Sequence, residues 1–149
     1  MISEDSLQKI SHLFCGDTGE KFAYKSGPKL VSFFNTYFSA DDKYESGFPS
    51  RWIYVYNKLV DFLNEGLIQK FLDIILSKEY LMSEQNLTAV DAASRSQDIL
   101  NELNNIIRKD QYTITKSNAF SKKADNCAAS AYRYTASLLV AFSATLRKT

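Results

Sequence analysis

Apolar residues recur at three- and four-residue intervals in successive blocks along the chain, separated by polar or glycine-containing breaks. In residues 2–14, Leu7, Ile10, Leu13 and Phe14 form a helical stripe, with Ser3 or Ser6 available as N-cap. Cys15-Gly16-Asp17-Thr18-Gly19 ends that stripe in a turn. Ser26-Gly27-Pro28 is a helix start signal, with proline near the first helical position ahead of Leu30, Val31, Phe33, Phe34, Tyr37 and Phe38. A polar loop over 39–46 closes on Gly47-Phe48-Pro49-Ser50. From Arg51 a longer helix is predicted, with Trp52, Val55, Leu59, Phe62 and Leu63 inward and Gly66 just past its end. Residues 67–76 continue as a second apolar helix, and 77–86 reads as a single turn around Tyr80-Leu81-Met82.

Thr88 caps a helix predicted to reach about Lys109, with Ala89, Ala92, Ala93, Ile99, Leu100, Leu103, Ile106 and Ile107 on or near one face. Residues 110–116 alternate and are β-branched, the pattern of a strand, with a short return strand near Ala119-Phe120. A lone ribbon is marginal and has to lean on helices. The last block, 124–147, is alanine-rich and helical, with Cys127, Ala131, Tyr134, Leu138, Ala141, Phe142 and Ala144 in a stripe. Together these predict a mainly α fold: one helical domain over 1–149, of five to seven helices, with a small two-stranded β-ribbon near residues 111–121.

The 149 residues are 45% hydrophobic and 23% charged, ordinary for a globular chain that buries its own core. A net charge of +1 argues against coating nucleic acid or membrane by bulk charge. The charge is uneven, however: residues 101–149 carry eight Lys/Arg against three Asp/Glu. No stretch approaches the roughly 18 apolar residues of a membrane span, and the N-terminus lacks the basic-then-apolar order of a signal peptide. Cytoplasmic localisation and no membrane association are the expectations. Cys15 and Cys127 lie far apart with no second thiol near either, so no disulfide framework or zinc site can be read.

The chemistry-bearing patterns are sparse. His12 is the sole histidine, and no nucleophile motif, phosphate-cradling glycine loop, metal-ligand spacing or paired carboxylate accompanies it. No catalytic residue, metal or cofactor is assigned, and no enzyme is expected. The segment 47–52 is the candidate binding site. Pro49 fixes one dihedral, Ser50 can cap the helix, and Trp52 can anchor it. Arg51 carries a cation into a helix N-terminus, where positive charge is disfavoured. Either it pairs with Asp41, Asp42 or Glu45 in the preceding loop, or with the free helix N–H groups it receives an anion, a phosphate or a partner carboxylate. Twenty aromatic residues exceed what a small core requires, which leaves rings for a protein partner. Lys116, Lys122, Lys123 and Arg133, close to Tyr112, Tyr132 and Tyr134, have the composition of a nucleic-acid contact. The seam of the 124–147 helix either completes the core or dimerises with its copy.

Two stretches resemble a known family. Tyr24-Lys25-Ser26-Gly27-Pro28-Lys29-Leu30-Val31-Ser32-Phe33-Phe34-Asn35, followed by Gly47-Phe48-Pro49-Ser50-Arg51-Trp52, is similar to the helical N-terminal domains of AbiJ-like abortive-infection proteins. The run from Ile99 to Tyr112 resembles the end of such a domain, where a helix enters a short strand. The resemblance covers about residues 20–118, and Gly-Phe-Pro-Ser-Arg-Trp is its most specific part. It implies a sensing, regulatory or docking module of a bacterial antiphage system, one that usually precedes a separate effector such as a nuclease. HEPN-type ribonuclease effectors use an Arg and a His a few residues apart, and no such pair occurs here. Only about 30 residues follow the predicted strand, so the expectation is either a stand-alone protein or a piece of a longer one. The non-enzymatic interaction module is the expected function, with a small nucleic-acid-binding module using the basic C-terminal third as the alternative.

Overall fold

A computed structural model describes residues 1–115 and 120–122. Its elements are α1 (Glu4–Cys15), α2 (Gly27–Phe38), α3 (Arg51–Glu65), α4 (Ile68–Ile75), α5 (Lys78–Gln85), α6 (Ala89–Ile107), a 3-10 turn (Arg108–Asp110), and strands β1 (Tyr112–Ile114) and β2 (Phe120–Lys122). The mainly α architecture with a small ribbon is as the sequence predicts. The predicted 124–147 helix, its dimerisation seam and Cys127 lie outside the described residues.

Side-chain oxygens set most of the helix starts. Ser3, Ser26, Ser77 and Thr88 each accept from the backbone N–H three residues on, satisfying donors that the helix itself cannot. Left-handed residues end four of the helices, among them Gly16 (φ 79°) after α1 and Gly66 (φ 75°) after α3. Residues 78–85 form a complete two-turn helix where one turn was predicted. Its apolar pattern is weak, since Leu81 is its only fully buried side chain, and the Ser77 cap supplies the start signal instead. Within α6 the buried side is Ala92, Ile99, Leu100, Leu103 and Ile107, while Ala89 and Ala93 are exposed.

Phenylalanine fills the centre. Phe14 of α1, Phe34 of α2, Phe71 of α4 and Phe22 from the connector are all fully buried. Phe34 stacks on Phe71 with centroids 6.4 Å apart, and Phe14 meets Phe71 edge-on at 5.3 Å. Leu59 of α3 and Leu103 and Ile107 of α6 close the same cluster. The strands pair antiparallel, Tyr112 opposite Lys122 and Ile114 opposite Phe120. Their outer edges are met by side-chain amides. Asn104 of α6 accepts the Ile114 N–H at 2.7 Å and donates to its carbonyl at 2.8 Å, and Gln69 of α4 accepts the Phe120 N–H at 2.9 Å. The ribbon therefore leans on the helices through hydrogen bonds as well as through Tyr112, Ile114 and Phe120, which are buried.

Candidate functional site

Residues 24–35 and 47–52, separated by the loop 39–46, meet in space at the start of α3. Residues 16–26 form the connector between α1 and α2, drawn tight where the Lys25 N–H donates to the Cys15 carbonyl at 2.9 Å. Gly16 makes that closure sterically feasible, because a Cβ there would overlap the Ala23 carbonyl. Arg51, the first residue of α3, grips the closed connector from outside. Its Nη1 donates to the carbonyls of Lys25 (2.9 Å) and Cys15 (3.2 Å). Its Nη2 pairs with the Asp17 carboxylate at 2.5 Å, and the guanidinium lies 4.4 Å from the Tyr24 ring centroid.

The ion-pair partner of Arg51 is thus Asp17, not Asp41, Asp42 or Glu45. Asp42 is otherwise engaged: it pairs with Lys58 of α3 at 2.6 Å and accepts from the Tyr54 hydroxyl at 2.7 Å. Those bonds, with the Asn35 amide on the Asp42 backbone at 3.0 and 3.1 Å, pin the 39–50 loop without any help from Arg51. Ser50 occupies the N-cap position of α3, but its side chain makes no capping hydrogen bond. Trp52 is half-buried and outside the deep core. It stacks on His12 at 5.1 Å, while the inward positions of α3 go to Tyr54, Val55, Leu59 and Phe62.

Sequence spacing gives no sign that His12 and Arg51 share one carboxylate. His12 Nδ1 lies 2.5 Å from the second Asp17 oxygen, so Asp17 bridges the end of α1 to the start of α3. Burial works to raise the Asp17 carboxyl's pKa, but the hydrogen bonds from His12 and Arg51 outweigh it and hold the group below the ordinary aspartate value. Cys15 beside this clasp is fully buried, and burial pushes its thiol up to about 11, away from reactivity.

Lys25 is the second residue that the sequence does not reveal. Only 3% exposed, its ammonium pairs with Glu84 of α5, donates to the Phe14 carbonyl at 2.9 Å and lies over the rings of Phe14 (4.3 Å) and Phe22 (4.7 Å). Burial lowers its pKa, and the Glu84 carboxylate opposes that shift. No periodic signal marks such a lysine, because it lies in a connector and its partner on a helix distant in the chain.

Around this frame stand the exposed rings. Tyr24 is 59% exposed and Tyr44 54%, and Tyr44 packs so closely on Gly27 that a Cβ there would overlap its ring. Tyr44 also meets Phe48 at 4.7 Å. Between the outer side of α2 and the 39–46 loop runs an open groove of about 510 Å³, lined by Pro28, Val31, Ser32, Asn35, Lys43 and Tyr44 among others. Of the predicted nucleic-acid contacts, Lys122 is exposed at the end of β2, and Lys116, Lys123 and Arg133 lie outside the described residues. Among the described residues no group of three or more His, Cys, Asp or Glu side chains is placed to hold a metal ion. No described helix is long and apolar enough to cross a membrane. No protein-family model matches the chain, and no curated protein or solved structure matches it.

Proposed function

We propose that this domain is a non-enzymatic docking module, of the kind that the AbiJ-like resemblance implies for a bacterial antiphage abortive-infection system. The observation that carries the reading is the convergence of the two family-like stretches on one face. There Tyr24 stands exposed against the Arg51 guanidinium, and Tyr44, packed on Gly27, turns outward at the edge of an open groove. Rigidly mounted tyrosines offer large contact area with little side-chain entropy to lose, which is how interface anchors work. Arg51 serves this face as a brace, since its Nη1 and Nη2 are engaged by two carbonyls and by Asp17.

The test is a tagged pull-down from the native host, with and without nuclease, comparing the wild type with a Tyr24→Ala/Tyr44→Ala variant. A specific protein recovered in both nuclease conditions and lost from the variant is the expected result. Nucleic acid that co-purifies, with every partner released by nuclease, would overturn the reading in favour of the basic C-terminal third.

A further inference from the structure

The connector 16–26 is held from two sides, and one residue belongs to both. On the α3 side the Lys25 carbonyl accepts from Arg51, beside the Asp17–Arg51 pair. On the α5 side the Lys25 ammonium pairs with Glu84, whose carboxylate also accepts from the Tyr80 hydroxyl at 3.1 Å. Four residues earlier in the chain the Lys21 carbonyl accepts from Gln85 of α5 (2.9 Å) and from Arg95 of α6 (3.1 Å). The other anchors of α5 are the buried Leu81, the half-buried Tyr80 ring against Phe33 (5.5 Å), and the Gln85 bond to Arg95 of α6.

These contacts constrain one another. If Glu84 moves away, a buried ammonium is left unpaired against the Phe14 and Phe22 rings, a state a folded protein strongly avoids. The Lys25 backbone is fixed, its carbonyl by Arg51 and its N–H by the Cys15 carbonyl, so its ammonium could follow Glu84 outward only by leaving the Phe14 carbonyl and both rings. We infer that the connector 16–26 and helix α5 open and close as one cooperative unit, with Lys25 as the shared bolt, so that whatever orders the Tyr24 side also orders α5. The inference concerns the fold and holds whether or not Tyr24 contacts a partner. If a partner does close on Tyr24, the same linkage tightens α5, and changes at α5 alter affinity at Tyr24 by the same factor.

Amide hydrogen exchange on the full chain, resolved by mass spectrometry, tests this with one conservative change at each end of the unit. Asp17→Asn weakens the α3 clasp, and Glu84→Gln weakens the α5 clasp. Each is expected to accelerate exchange by at least about tenfold in both segments, 17–25 and 78–86, while α1, α3 and α6 keep wild-type rates. Acceleration of only the near segment by each change would mean two independent clasps and would overturn the inference. Equal acceleration in every element would overturn it as well, since opening would then be global. Should Glu84→Gln fail to fold, Gln85→Ala takes its place with the same expected pattern, because it removes the donor to the Lys21 carbonyl together with the Gln85 bonds to Glu84 and Arg95.

Discussion

At Gly16 the backbone leaves α1 through φ 79°, with the Ala23 carbonyl packed where a side chain would begin. Gly16→Ala therefore meets both left-handed strain and a backbone overlap, and is expected to destabilise the domain by about 2 kcal/mol or more, read from the urea midpoint. Asp17 makes a pH prediction. Its folded-state pKa is depressed by His12 and Arg51, so its stabilisation is present above the unfolded aspartate value of about 3.9 and is lost as pH falls through the folded value. Urea titrations between about pH 6 and pH 2 should show the wild type losing stability more steeply than Asp17→Asn. An unchanged acid limb in the variant would remove Asp17 from the clasp. Residues of this kind were hard to read in sequence. Arg51 announced itself by its misplaced charge, but its partner lay 34 positions away in the chain, not in the nearby acidic loop. Lys25 and Glu84 showed nothing, because a buried ion pair across two elements leaves no periodicity.

Among the elements, the helices with a clear apolar stripe and a cap were legible almost to the residue. Ser26-Gly27-Pro28 starts α2, and Gly66 ends α3, as their chemistry requires. Helix α5 is hard to read because its apolar side is only Tyr80 and Leu81, and Glu84 and Gln85 supply the rest of its hold where a longer stripe would otherwise be seen. The ribbon was legible in its alternation, and what steadies it was not. Asn104 mimics a neighbouring strand at Ile114, giving and taking one hydrogen bond on the same residue. Asn104→Ala is expected to lose about 1–3 kcal/mol, because two main-chain groups of a part-buried strand lose their partner. Hydrogen exchange at Ile114 should quicken in the variant well before that of α3, and equal rates would show that water replaces the amide without loss.

Across the whole molecule, the ring cluster and the outward tyrosines are separate populations and should respond differently. Phe71→Ala removes a fully buried ring at the meeting of α1, α2, α3 and α4, and is expected to cost about 3–5 kcal/mol. Tyr24→Ala/Tyr44→Ala should melt within a few degrees of the wild type in a calorimeter, so any binding it loses is lost at the surface. The sequence excess of aromatic residues pointed to both roles without saying which ring served which, since helical spacing places a ring on a face and only packing tells whether that face is covered. The stacking of Trp52 on His12 has a practical outcome of its own. The chain has one tryptophan, and it sits on the clasp that joins α1, the connector and α3. Tryptophan fluorescence, excited to the red of the tyrosines, thus has a single source at the place where those three segments are fastened, and an unlabelled sample reports on the fastening by its colour and brightness alone.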